Sequence, residues 1–581
     1  MILATTSVYG RTKVIVRQDM DFVKVFAGKD TKYMIKEDIN LGGKKVTIGA
    51  GSTLCFKGGS LANGTVVGNN TKVNARNYEI FKRGYVRYRA YFAAKTSKHP
   101  SVQKEYHDCI VLAGTWCNKR CGSKWTGLLN ESNEDVMLAV RNYIILYPDG
   151  ASVTLPKINA LGYESTAFPG NRAIDFRNST ISYPDDLSVW EDITINLPTG
   201  STPATMESGY GLISVGSNTA IKNLSIDGKS TKRQGEAVRL GVSCIISIGS
   251  SKNVTLENVS LSNVLGPGVT AQAGAENLTF KGCKFFNIGE HIMYSHQYKG
   301  YCHFEGCIFD TWDSERISVH RNGLDYLYKH TPPVDSDVSY DDLYAFDLSF
   351  DNCMFNNPKR INSQGRTLGG FLTGNFPHVV NINNSTFTGA QPPFNPGGGS
   401  AISDKSGKCF KMIVRGCDGA PYVYSSNSNY NIVTEFYDCV NIPFRIAYTK
   451  RYENCQLFID LNESTNENVS PVFEEEFSEP LLVKGCTITD RGNTGKINHP
   501  LLHRPIIFEG CFFSSTVKRD YVPEIVNVKS EKPVQVTFNK CKFDLEGFRL
   551  VGGKLNQETL SINSCRFENI LDKEMYQSKN Q

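Results

Sequence analysis

NVTLENVSLSNV (253–264), NLTFKGCKFFNI (277–288) and YCHFEGCIFDTW (301–312) align without a gap at a spacing of 24 residues. In each, two apolar residues sit at alternate positions and a two-residue polar corner follows, usually ending in Gly or Asn. Cys or Val comes next, then one polar residue, then another large apolar one (Trp312 closes the third segment). Alternation at period two marks short strands, and Gly or Asn at the corner suits a left-handed turn without a Cβ penalty. Strand, tight corner and strand, repeated at a near-constant interval, describe one coil of a solenoid.

The signature returns in LSFDNCMF (348–355), VNINNSTF (380–387), MIVRGCDG (412–419), TEFYDCVNI (434–442) and RYENCQLFI (451–459). It continues in LLVKGCTI (481–488), IIFEGCFF (506–513), VTFNKCKF (536–543) and LSINSCRF (560–567). Spacing between aligned column positions, Ser385 included, varies from 16 to 46 residues, so loops of different length leave the wall at the other corners. Ten of the chain's 17 cysteines fall in this column: Cys283, Cys307, Cys353, Cys417, Cys439, Cys455, Cys486, Cys511, Cys541 and Cys565. With coils stacked about 4.8 Å apart, they should form an inward ladder of small buried thiols. Val259 and Ser385 occupy the same position, which argues against a redox or metal ladder.

Bulk properties narrow the classes of function. The chain has 581 residues and a formal net charge of only +5, and no concentrated basic run points to nucleic acid. No stretch approaches the roughly 18 apolar residues of a membrane span, so no membrane insertion is expected. The opening MILATTSVYGRTKVIV lacks a charged lead, a long apolar stretch and a small-residue cleavage site. Cys117 and Cys121 in CNKRC have no second pair nearby, so neither a metal nor any other cofactor is expected.

The repeat resembles the right-handed parallel β-helix of the pectate-lyase-like superfamily, an all-β solenoid. NEDVMLAVRNYIILYPDGASVTLP (133–156) looks like that family's entry motif, an amphipathic helix followed by a strand ending in Leu-Pro. The resemblance implies that the helix caps the solenoid's open end, with Val136, Val140 and Ile144 facing the core and Asn133 or Asp135 as its cap. INLGGKKVTIGAGSTLCFKGGSLANGTVVGNNTKVNA (39–75) reads as a small solenoid of its own. Similar segments occur in chains from gut Bacteroides and their phages. The expected organisation is a strand-rich attachment region at 1–82, a connecting segment at 83–132, the β-helix at 133–570 and a solvated tail at 571–581.

Stacking turns distant positions into columns. Setting Cys283 over Cys307 lays NIGEHIMYSHQ (287–297) against TWDSERISVHRN (311–322), with one residue inserted in the latter. Glu290 then stacks on Glu315, His291 on Arg316 and Ile292 on Ile317. The next coil brings Lys359 and Arg360 beside them, and the preceding one places Pro267 and Gly268 in those columns. Two carboxylates one coil apart have the geometry of a glycosidase pair, in which mutual repulsion keeps one member protonated. Glu290, Glu315 and Asp313 are the catalytic candidates. His291, Arg316 and Arg360 suit uronate or sulfate, Trp312 and Tyr294 suit stacking on sugar rings, and His296 and His320 lie at the edge. The same set would serve a lyase, with a basic side chain removing a proton. A solvated ladder of mutually paired charges is the structural alternative.

Within the superfamily, polygalacturonase-like hydrolases carry Asn-x-Asp, Asp-Asp, Gly-His-Gly and Arg-x-Lys signatures. GEHI (289–292) sits where an acidic pair belongs, but the other three are missing. A Gly-rich N-terminal solenoid followed by one long β-helix also resembles phage tailspikes and tail fibres. That resemblance implies a homotrimer, attached to other virion tail proteins, that recognises bacterial surface polysaccharide. It leaves open whether the glycan is cleaved by glycoside hydrolysis. The expected location is the phage tail, or otherwise outside the cell. A bacterial polysaccharide hydrolase or lyase, and a purely adhesive virion protein, are the rival readings.

Overall fold

The computed structural model describes residues 12–92, 101–129, 135–162, 166–182, 190–195, 211–229, 244–264, 267–272, 274–288, 292–295, 297, 300–310, 317–319, 346–357, 372–374, 379–389, 393–396, 410–419, 422–423, 432–444, 449–459, 479–491, 501–502, 504–518, 521–528, 534–553 and 559–580. Contacts divide it into two units, Met1–Gln297 with Asp310–Ser318, and Tyr298–Phe309 with Val319–Gln581.

The first unit opens with a short parallel solenoid. Strands Lys13–Val16, Lys32–Ile35, Thr53–Phe56, Gly64–Asn74 and Ile110–Trp116 lie side by side in one sheet. Lys13, Lys32, Thr53 and Lys72 are register partners, so a coil here takes nineteen to twenty-one residues. Its interior holds Phe26, Tyr33, Leu54, Phe56, Phe81 and Trp116, all essentially inaccessible.

The helix Met137–Ile145 follows, and Asp135 supplies its cap: the Asp135 carboxylate accepts the Met137 N–H at 2.8 Å. Asn133 lies outside the described residues. Val136, Val140 and Ile144 are buried as expected, but so are Leu138, Ala139, Asn142 and Tyr143. An amphipathic helix would leave the second group wet. Here the strand Ile110–Trp116 packs on one side and the strand Thr166–Phe168 on another. Buried Asn142 replaces a ladder partner for that first strand. Its Oδ1 accepts the Leu112 N–H at 3.0 Å and its Nδ2 donates to the Ile110 carbonyl at 2.7 Å.

Beyond the helix, strands Ser152–Thr154, Arg172–Ser182, Thr219–Asp227 and Lys252–Val264 stack in parallel, ending on Glu276–Lys281 and Lys284–Ile288. A second ladder runs along another face through Thr166–Phe168, Gly211–Val215, Cys244–Gly249, Val269–Ala271 and Met293–Ser295. At one corner Asn171, Asn218, Asn253 and Asn277 all have φ between 55° and 58°. Each side-chain amide donates to the one before it, at 2.9, 2.8 and 3.0 Å. Asn tolerates the left-handed turn and satisfies a neighbour at the same time. That explains why Asn-x-Ser/Thr triplets recur along strand starts.

The second unit carries the cysteine repeat. Gly300–Glu305, Phe346–Asp351, Val379–Asn383, Phe410–Arg415, Ile432–Tyr437, Thr449–Glu453, Leu481–Lys484, Ile506–Glu509, Val536–Asn539 and Leu560–Asn563 form one parallel ladder. Ile442–Pro443, Gln456–Ile459, Thr487–Asp490, Phe512–Ser515, Lys542–Leu545 and Arg566–Glu568 form another. Phenylalanines stack rung on rung inside: Phe304 on Phe350 at 5.1 Å, Phe355 on Phe387 at 4.5 Å, Phe508 on Phe538 at 4.9 Å. The described chain is an all-β parallel solenoid, a parallel β-helix.

One rule joins both units. The residue before each column position is left-handed, φ 49–62°: Asn258, Gly282, Gly306, Asn352, Asn384, Gly416, Asp438, Asn454, Gly485, Gly510, Lys540 and Ser564. The column residue that follows turns inward, and all ten cysteines are buried. Their thiols donate back to the carbonyl two residues earlier, as Cys439 does to Tyr437 at 3.1 Å and Cys486 to Lys484 at 3.3 Å. Adjacent sulfurs and burial together push the thiols of Cys353, Cys417, Cys455, Cys511 and Cys565 well above the ordinary cysteine range.

The last residues are mostly exposed but carry a helix. Lys573–Ser578 form a helix that is exposed along most of its surface, with Tyr576 alone buried and stacked near Phe567 at 6.0 Å. Polar residues dominate KEMYQSKNQ, but a solenoid end exposes unpaired backbone and apolar rungs that need covering.

Candidate functional site

The ladder ending at Met293–Ser295 has an outward column that its register fixes. Ala167 pairs with Ser214, Ser214 with Ser247, Ser247 with Thr270 and Thr270 with Tyr294. Their neighbours on the inner side are core: Ile213, Ile246, Val269 and Met293 are buried. Four rungs therefore carry only a methyl group or short hydroxylated side chains, Ala167 exposed, Ser214 and Thr270 half-buried and Ser247 buried, and the fifth carries a half-buried tyrosine. At about 4.8 Å per rung, the column extends about 19 Å.

The adjoining face is built differently. There the outward column places Asp175 opposite Lys222 and Lys222 opposite Glu257, and the last two form an ion pair at 2.7 Å. Long paired charges roughen that face, whereas the side chains of the four rungs before Tyr294 are themselves short. A shallow trough with hydroxyl groups along its floor and a phenol at its end can hold an extended polar chain and stack against one of its rings.

Of the sequence candidates, Tyr294 lies at the end of this trough. Glu290, His291, His296, Trp312, Asp313, Glu315, Arg316, His320 and Arg360 lie outside the described residues. One register detail changes: Val269 pairs with Met293, which sets Gly268 against Ile292 instead of one position earlier. A Cβ on Gly268 would meet the Ile292 carbonyl oxygen at 2.9 Å, so the small residue lets the two coils close up. Asp227 closes its own corner. Its carboxylate accepts from Asn263 at 3.0 Å and from the Lys229 N–H at 2.9 Å, and burial opposes but does not outweigh these bonds, which lower its pKa. Cys117 and Cys121 take separate roles. The Cys117 thiol donates to the Asn70 carbonyl at 3.1 Å, while burial pushes Cys121 up to about 12 despite a contact with Tyr147.

One charged group on the second unit escaped the sequence reading. Glu435, on Ile432–Tyr437, points outward yet is 7% exposed. It accepts from the Tyr437 hydroxyl at 2.8 Å and pairs with the Lys411 ammonium at 3.1 Å, with Arg451 in the next rung. Burial opposes its charge, but these partners outweigh that and hold the carboxyl below the usual glutamate range. Arg415 sits 5.0 Å from the centre of the Tyr437 ring. TEFYDC reads as an ordinary repeat unit; only three-rung register reveals the cluster.

No family model matches the chain, and no curated protein matches it in sequence. Solved structures similar to it include PfbA, a surface adhesin of Streptococcus pneumoniae, at 12% identity over 76% of this chain and 91% of that one, TM-score 0.35. The A-module of the Azotobacter vinelandii mannuronan C-5 epimerase AlgE4 is similar at 10% identity over 75% and 98%, TM-score 0.30. The tailspike protein of E. coli bacteriophage HK620 is similar at 10% identity over 75% and 67%, TM-score 0.30. At these identities and scores no residue role passes from those proteins to this one.

Proposed function

We propose that the chain is a tailspike- or tail-fibre-like protein that binds bacterial surface polysaccharide along the trough from Ala167 to Tyr294. The observation that carries this reading is the column of small and hydroxylated residues ending in tyrosine, on a wall otherwise edged by paired charges. An extended glycan needs length, shallow relief, hydrogen-bonding groups for its hydroxyls and an aromatic face for one ring. A solenoid supplies the length because each rung adds one identical step.

Cleavage by glycoside hydrolysis is the activity proposed beside binding, with Glu290, Glu315 and Asp313 as its carboxylates, immediately along the chain from Tyr294 or one coil on. One carboxyl would protonate the glycosidic oxygen while the other attacks the anomeric carbon or activates water. The protein would act exposed on the virion or outside the cell, as a homotrimer joined to other tail proteins.

Incubating the full chain with purified surface polysaccharides and following chain length by size-exclusion chromatography tests the chemistry. Shortening that disappears in Glu290→Gln or Glu315→Gln supports hydrolysis at this site. Shortening that persists in both variants removes them from the mechanism, and intact polymer with retained binding leaves adhesion alone. Growth of absorbance near 235 nm would mark the unsaturated product of a lyase.

A further inference from the structure

The small N-terminal solenoid holds a cavity of about 470 Å³ that plays no part in the trough. It arises from register. Ile39 pairs with Leu61, and Leu61 bridges to Phe81, so these three side chains fill the interior. The outward positions beside them are Asn40, Ala62 and Lys82. The middle rung is only a methyl group, which leaves a notch two rungs wide between an amide and an ammonium. Asp38, Glu79, Arg83 and Asp108 complete its polar walls.

The walls are braced. Asp38 accepts the Ser60 hydroxyl at 2.7 Å, Asn40 Oδ1 accepts the Gly42 N–H at 2.8 Å, and Glu79 accepts the Arg83 N–H at 2.8 Å. An aromatic platform adjoins the rim. Gly84, at φ +58°, leads into the strand Tyr85–Phe92, which pairs antiparallel with Ser101–His107, and it lies so close to that partner strand that a Cβ would run into the His107 carbonyl oxygen. That approach lays the Tyr85 ring flat on the His107 ring, centroids 4.6 Å apart and planes 9° from parallel. Tyr85 remains 48% exposed.

We propose that this notch is a second carbohydrate site, taking one uncharged pyranose ring with the adjoining residue of the glycan over the Tyr85 ring. Hydroxyl groups both donate and accept, and the lining offers both: carboxylates that accept, and an amide, an ammonium and a guanidinium that donate. The volume lies in the range of small-ligand pockets. Three carboxylates against two cations disfavour a uronate or sulfated sugar, because a second anion would enter beside Asp38, Glu79 and Asp108. The site stands apart from the trough at Tyr294 and does not depend on that face binding anything.

Ligand-observed saturation-transfer NMR on the full chain, followed by titration, tests it with methyl glycosides of glucose, galactose, mannose and N-acetylglucosamine, and with glucuronic acid. At least one neutral glycoside should bind, and glucuronic acid should bind about tenfold or more weakly. Ala62→Tyr fills the notch from an outward position and should weaken that glycoside about tenfold or more, as should Asp38→Asn, while Tyr294→Ala leaves it unchanged. Circular dichroism checks that each variant is folded, and Asp38→Asn decides alone if Ala62→Tyr is not. Absence of binding by every neutral glycoside, preference for glucuronic acid, or indifference of a folded variant would each overturn the proposal. Loss with Tyr294→Ala alone would assign the sugar to the trough instead.

Discussion

The side-chain amide of Asn580 closes the last rung of the solenoid on Cys565. Its Oδ1 accepts the Cys565 N–H and its Nδ2 donates to the Cys565 carbonyl, both at 2.8 Å. Inside the wall the equivalent N–H goes to the column side chain of the following coil. Cys353 N–H donates to Ser385 Oγ at 3.0 Å, Ser385 N–H to Cys417 Sγ at 3.4 Å, and Cys455 N–H to Cys486 Sγ at 3.4 Å. Asn580 thus stands in for the next coil's column residue, and Tyr576 covers the last phenylalanine. Asn580→Ala should destabilise the terminal coil by about 1–3 kcal/mol, the cost of leaving a buried backbone group without its partner. Hydrogen exchange should accelerate at Leu560–Glu568 and stay unchanged near Leu348–Phe355.

The corner column predicts a stabilising change. Lys540 and Ser564 hold φ of 54° and 56° where Gly485 and Gly510 hold 61° and 62°. A side chain in that region costs roughly 1–2 kcal/mol relative to its usual backbone, which glycine avoids. Lys540→Gly should raise the free energy of unfolding of its coil by about 1 kcal/mol, part of the gain being offset by the freer unfolded chain. The reverse change, Gly485→Val, should lower it by about 2 kcal/mol or more, since its Cβ would also meet Asn454 Oδ1 at 2.8 Å. Denaturant midpoints of the two variants check both signs.

Much of this wall was legible because one backbone requirement repeats. Gly or Asn precedes Cys at seven of the twelve corners, and at each the chain turns left-handed and then buries a small side chain, so the corners announce one another. The ends were not legible in that way. KEMYQSKNQ looks solvated, and most of it is; its docking depends on a single tyrosine and a single asparagine meeting residues nine and fifteen positions earlier. The helix Met137–Ile145 reads as one-sided because Asn142 and Tyr143 are polar by type, and only the neighbouring strand Ile110–Trp116 makes their burial favourable. The notch over Ala62 draws on residues 38, 62, 82 and 108, which no local motif connects. The trough was half legible. Tyr294 stands out in the sequence as a candidate for stacking on a sugar ring, but the four small rungs before it are conspicuous only once the register is known.

The thiol ladder makes a chemical prediction. Iodoacetamide at pH 8 should modify Cys117, which is partly exposed, long before any column cysteine, since those thiols are buried out of the reagent's reach. Denaturant should release the column in one further step, read by mass spectrometry. Ser385 shows what the position tolerates. Cys486→Ser keeps an acceptor for the Cys455 N–H and should cost little, whereas Cys486→Val removes it and should cost about 1–3 kcal/mol.

Glu435 gives a pH dependence. Its folded pKa lies below the unfolded value, so its contribution is fully present above the ordinary glutamate range and is lost as pH falls through the folded pKa. Tyr437→Phe removes the 2.8 Å bond to the carboxylate and should destabilise by about 1.5–3 kcal/mol at pH 7. The gap between wild type and variant should hold from pH 8 to about 6 and narrow as pH drops below about 4. A gap independent of pH would mean that the tyrosine acts through packing alone.

The central claim is that the face from Ala167 to Tyr294 holds a polysaccharide, and blocking it is the most direct measurement. The full chain, Thr270→Trp and Tyr294→Ala should be titrated by calorimetry against a panel of purified bacterial capsular and lipopolysaccharide glycans. A glycan that binds the wild type should lose about tenfold or more in affinity with each folded variant, since an indole in place of the Thr270 side chain would obstruct the floor and loss of the phenol removes the stacking face. Equal affinity for the wild type and both variants would contradict the account.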